Sequence, residues 1–132
     1  MNTIEAHSGS GRLRVWGAAT LCGNDVNIAL MGGEQPHIGA VSLAVYEPDR
    51  SSATVSTITV YRHRDDVCAS ACAKLVATEL QCVATVSVGI HIDNPASEEL
   101  SVLFQTCMAC CSLLIKRILE DRMSFLSPLS QP

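Results

Sequence analysis

The chain is short of aromatic residues, of charge and of any basic surplus. Aromatics make up 4% of its 132 residues, with one Trp, two Tyr and two Phe. A core in a chain of this length must therefore be built from Val, Ile, Leu, Ala and Cys. Charged residues are only 17% and the formal net charge is −4, which excludes the basic footprint of a nonspecific nucleic-acid binder. Residues 1–14 are polar and lack the apolar stretch of a secretory signal. No apolar run is expected to reach the roughly 20 residues that span a bilayer. These absences predict a cytoplasmic protein with no nucleic-acid or membrane partner. "GNDVNIALMGG" lacks the Gly-Lys-Ser/Thr ending of a phosphate loop. No nucleophile elbow or serine–base spacing occurs either.

What is present is apolar and rich in thiols. Apolar residues are 48% of the chain, which suits a globular domain that buries much surface, some of it in an oligomer, with a homodimer expected. Seven cysteines would suggest a disulfide framework in a small exported domain. Here most sit among apolar neighbours in helical stretches, so buried free thiols are expected. "CMACC" contains a C-x-x-C, but deep in a predicted helix rather than at its start, where the dipole would activate a thiol. Cys68 and Cys72, four apart on a helix, also lie on an apolar stripe and are expected in the core.

Residues 1–10 read as a flexible start and residues 124–132 as a C-terminal tail, with a single domain over 11–123. Residues 12–21 and 26–31 read as strands joined by "CGND", whose Gly23 and Asn24 tolerate a tight turn. Residues 38–46 and the β-branched run 54–61 read as two more strands. From Asp65 the period changes. Cys68, Cys72, Leu75 and Val76 fall at helical spacing, with Asp65 or Asp66 as the cap. Residues 83–92 return to strand. Ser97 opens a second helix as a plausible N-cap, and its apolar stripe runs from Leu100 to Ile118. The order β-β-β-β-α-β-α predicts an α+β two-layer sandwich: a mixed, mainly antiparallel sheet with two helices on one face.

Three histidines interrupt this pattern, in "QPHIGAV", "YRHRDDV" and "SVGIHIDN". Strand alternation puts His91 on the face of Thr85, Ser87 and Gly89, away from Val86, Val88, Ile90 and Ile92. The same alternation puts His63 with Thr57, Thr59 and Tyr61. A parallel crossover between the fourth and fifth strands brings His63 and His91 to one sheet edge. An antiparallel hairpin brings His37 there too. That edge is where open α/β sheets tend to hold ligands. His37, His63 and His91, with Asp66 and Asp93 adding oxygens, would suit an open site for Zn, Mn, Fe or Ni. The same cluster equally suits an anionic ligand. Arg62, Arg64 and the helix start near Asp65 can attract a phosphate, and Gly32, Gly33, Gly39 and Gly89 allow close backbone approach. Ring stacking would depend on Tyr61, Trp16 or the histidines.

The segments "GGEQPHIGAVSLAV", "HRDDV" and "GIHIDNPASEEL", in that order and separation, resemble the gallate decarboxylase D-subunit family of prenylated-flavin chaperones, also called LpdD-like domains. The resemblance implies an accessory protein without catalysis of its own. Such a protein holds prenylated flavin mononucleotide (FMN) as cargo and delivers it to a non-oxidative decarboxylase. Carried onto this chain, the signature positions are Gly33, His37, Gly39, His63, Asp66, His91, Asp93 and Asn94. The middle motif departs from the family, with Arg62 where a glycine usually precedes the histidine. Two other readings stay open at this point: a small metal-dependent enzyme using the same histidines with Asp66 or Asp93 as base, and a purely structural subunit of a decarboxylase complex.

Overall fold

The computed structural model describes residues 2–60 and 65–126. Tyr61, Arg62, His63 and Arg64 lie outside the described residues, so the roles expected of them are not addressed by the geometry below. Six strands and two helices are described: β1 (Thr3–Ser8), β2 (Val15–Cys22), β3 (Asp25–Gly33), β4 (Ala40–Glu47), β5 (Ser52–Thr59), α1 (Asp66–Leu80), β6 (Val83–His91) and α2 (Ser97–Leu126). They form an α+β sandwich with one sheet in the order β1-β2-β3-β6-β4-β5. Every neighbouring pair is antiparallel except β3–β6.

The expected crossover is present with one strand inserted. β4 lies between β5 and β6 and runs antiparallel to both, so β5 and β6 are parallel to each other. The flexible start is corrected: residues 3–8 pair along β2 as an edge strand. Only Ala6 of that strand is buried, so its sequence carries almost no apolar alternation.

α1 packs on β4, β5 and β6, and α2 packs on β1 and β2. The covered face is small and branched. Val15, Ile28, Leu30, Val76, Val86, Val88, Leu114 and Ile118 are fully buried, and Ala19, Ala40, Ala44, Ala69, Ala73 and Ala84 fill between them. Each large member contributes about 1.5–3 kcal/mol. Gly17 lets α2 approach: a Cβ there would lie 2.7 Å from Leu30 Cδ2 and 2.9 Å from Leu114 Cδ1. Small side chains thus replace the missing aromatics by letting the layers close up.

All seven cysteines are free, and Cys72, Cys82, Cys107, Cys110 and Cys111 are buried. Cys72 contacts Cys107 and Met108 at 4.0 and 3.6 Å. The contact with Cys107, the neighbouring thiols and burial hold the Cys72 thiol above its ordinary range. Burial pushes Cys110 up to about 12. Both thiols are held protonated, as core packing requires. Cys107, Cys110 and Cys111 also make α2 more apolar than the expectation of no membrane-length run allowed. The stretch Ser97–Ser124 has a mean hydropathy of 1.6 and is long enough to cross a bilayer by length and composition. Its apolar stripe is the face that rests on the sheet, with Leu103, Cys107, Cys110, Leu114 and Ile118 buried.

Candidate functional site

The end of the sheet where β6 finishes collects two of the three histidines. Gly39 N–H donates to the Val88 carbonyl at 2.9 Å and Val60 N–H to the Gly39 carbonyl at 2.8 Å. The start of β4 and the ends of β5 and β6 therefore share one rim. The His37 and His91 rings meet there edge to face, 6.4 Å between centroids and 77° between planes. β5 ends at this rim, and His63, which follows it, falls outside the described residues. With Glu34, Gln35, Pro36 and Ile38, the two rings line an open depression of about 610 Å³.

Each imidazole is held by a carboxylate. His91 Nε2 stands 3.0 Å from Asp93 Oδ1. His37 Nε2 stands 3.1 Å from Asp65 Oδ2, and its Nδ1 stands 3.0 Å from the Gln35 carbonyl. Each ring nitrogen of His37 therefore faces an oxygen of the protein itself. Among the described residues, no group of three or more His, Cys, Asp or Glu side chains is placed to hold a metal ion. The acid beside His37 is Asp65, not Asp66. Asp65 was expected to be a candidate helix cap, but its side chain does not cap α1. It turns inward, one oxygen on His37 and the other accepting the Ile90 N–H at 3.2 Å. Asp66 opens α1 and, among the described residues, makes no hydrogen bond to these histidines.

The candidate cofactor-binding glycines are packed by the protein's own atoms. A methyl group on Gly39 would collide with the Asp65 carboxylate, and one on Gly89 with the His37 carbonyl. Gly33 adopts φ +72°, and a Cβ there would strike the His91 carbonyl. Asn94 takes the left-handed turn, φ +46°, that leads into α2. Thr57 and Thr59 lie on the helix side of the sheet, opposite to the face of His91. Register pairs them with Ser42 and Ala40, both buried on the helix side, and Thr57 bonds Ser42 at 2.7 Å. The open face carries Ser56 and Ile58 instead.

A second set of residues braces the rim and was missed in the sequence. Arg12 donates to both Glu99 oxygens, at 2.7 and 3.1 Å, to Glu34 at 3.2 Å and to the Asp93 carbonyl at 2.8 Å. Glu34 in turn accepts the Asp93 N–H at 2.8 Å. Glu99 reaches back to the Ala96 N–H at 3.0 Å. The cap of α2 is therefore a reach-back from the third helical residue, and Ser97 is the first residue of the helix rather than its cap. Hydrogen bonds from Arg12 and Ala96 hold the Glu99 carboxyl below its ordinary range. The acidic first turn was legible in "SEEL", but its basic partner lies 87 residues away, beyond any local pattern.

The family model for prenylated flavin chaperone LpdD-like domains matches residues 9–119. That stretch includes both histidines of the rim and their acids. A crystal structure of a novel chaperone complex for yeast 20S proteasome assembly is similar in fold, with a TM-score of 0.55. It is 14% identical and the match covers 93% of this chain and 95% of that one, a likeness of fold alone. Comparison with curated proteins finds no match. The chain belongs to the family of prenylated flavin chaperone LpdD-like domains.

Proposed function

We propose that this protein is a non-catalytic carrier of prenylated FMN, which it holds at the His37–His91 rim and passes to a partner non-oxidative decarboxylase. The observation that carries the reading is the pair of edge-to-face imidazoles over an open depression of about 610 Å³, in a chain whose family is that of prenylated flavin chaperones. The depression is wide and shallow, which suits a ligand that must leave again. His91, held at Nε2 by Asp93, leaves its Nδ1 for the carbonyl and ring-nitrogen edge of a flavin, and the fixed His37 ring is a flat neighbour for its ring system. Gly33, Gly39 and Gly89 act indirectly, by letting Asp65, His37 and His91 come close. Arg62, His63 and Arg64 come shortly after Val60 in the sequence and are proposed to contact the cargo.

The open face adds an association surface. Val41, Leu43 and Val45 of β4 and Ile58 of β5 are exposed at 36, 42, 39 and 77%. In register they form one apolar patch, which fits a homodimer. Sedimentation of the wild type and of a Leu43→Ser, Ile58→Asp variant tests this: a dimer that becomes monomeric supports it, and a monomeric wild type contradicts it.

The cargo reading is tested by adding oxidised prenylated FMN to the purified protein. Saturable binding, no decarboxylation by the protein alone, and activation of a cofactor-free decarboxylase by the loaded protein are expected. Absence of binding would overturn the reading.

A further inference from the structure

Two arginines separated by one residue behave differently. Arg12 is fully engaged in the brace described above. Arg14 is exposed and, among the described residues, pairs with no carboxylate. It lines a depression of about 560 Å³ with His7 and Trp16. Trp16 is the chain's single tryptophan and is 40% exposed. Register ties this depression to the histidine rim. Gly33 pairs with His91 on one side, and its N–H donates to the Arg14 carbonyl at 3.0 Å on the other. Arg14 and His91 are thus two strand spacings apart, roughly 10 Å between backbones. Gly33 has no side chain to stand between them. One row further in, Trp16 pairs with Met31 and Met31 with Gly89.

We propose that Arg14 is the phosphate-binding residue of the cargo site, with Trp16 as the wall beside the ribityl chain. The proposal rests on the flavin reading above. The ring system lies at His37 and His91, and the phosphate ester extends across Gly33 to the guanidinium. Arg117 also lines this depression, with its side chain donating to the Glu5 carbonyl, and Glu5 is the one acid of the lining, so two guanidiniums stand against one carboxylate in a chain of net charge −4. A guanidinium is suited to a phosphate because it presents its donors as a planar fork.

The test measures affinities for oxidised prenylated FMN and for the same molecule dephosphorylated, in the wild type, Arg14→Ala and Arg14→Lys. The wild type should prefer the phosphorylated form by about tenfold or more, the worth of a charge-assisted contact. Arg14→Ala should bring the two affinities together by weakening only the phosphorylated form, and Arg14→Lys should keep part of the preference. Trp16→Ala should weaken both forms, and Trp16→Phe should recover both. A preference that survives Arg14→Ala overturns this assignment and leaves the flavin reading standing. Failure of the wild type to bind either form overturns the flavin reading itself.

Discussion

On the helix-covered face of the sheet, Val15, Ile28, Leu30, Val86 and Val88 are at most 1% exposed. On the other face of the same sheet, Trp16, Val41, Leu43 and Ile58 are between 36 and 77% exposed, and His91 stands at the rim. Successive side chains of a strand go to opposite faces. Each strand therefore serves the core with one residue and the surface with the next. The covered face is uniform and packed against thiols and alanines. The open face is mixed, with imidazoles, a guanidinium, an indole and an aliphatic patch in separate places. Stability and binding are divided between the two faces, so substitutions should separate them.

The largest expected effect falls on the covered face. Ile28→Ala should cost about 2–5 kcal/mol in denaturant unfolding, because it leaves a cavity in the core between sheet and helices. Ile58→Ala on the open face should stay within about 0.5 kcal/mol, measured on the monomer. Equal losses at the two positions would erase the distinction. Next comes Gly39→Ala, where the two functions touch. Its methyl group displaces the Asp65 carboxylate from His37, with an overpacking cost of about 1–3 kcal/mol. Loss of that charged contact should weaken flavin binding by about tenfold. Gly11, which has open space around it, provides the contrast, though its φ of +59° makes alanine there mildly strained.

Two smaller effects sharpen the picture. A chelator should leave flavin affinity unchanged, because no group of three or more metal-binding side chains is gathered among the described residues. A loss of binding that added Zn or Mn restores would reinstate the metal reading. The Arg12 brace should appear in acid. Glu99 titrates lower folded than unfolded, so its contribution is present above the unfolded value and is lost as pH falls through the folded one. Glu99→Gln should therefore lower stability at neutral pH, change it little in acid, and so flatten the acid limb of the stability curve.

The fold was largely legible because its signals are local. The β-branched run before Asp65, the apolar stripe of α2 and the alternation of residues 83–92 each specify an element without reference to the rest. β1 was not, since a polar edge strand with one buried alanine leaves no pattern to read. The parallel β3–β6 pair was not either, because it joins segments 58 residues apart through β6 insertion between β3 and β4. At the site, the meeting of His37 and His91 followed from hairpin and crossover geometry. The choice of Asp65 over Asp66 did not, since it depends on the phase at which α1 begins. The placing of Thr57 on the helix side was not legible, because it follows from its pairing with the buried Ser42 of another strand. Arg12, Glu34 and Glu99 form their brace across distant segments, and no spacing announces it.

The central claim is that the paired imidazoles hold a flavin. It is tested most directly by titrating oxidised prenylated FMN into the wild type, His37→Ala, His91→Ala and the double variant, with unfolding midpoints measured alongside. Saturable binding by the wild type, a loss of about tenfold or more in each single variant and nearly unchanged midpoints are predicted. Wild-type affinity in the double variant would contradict the account.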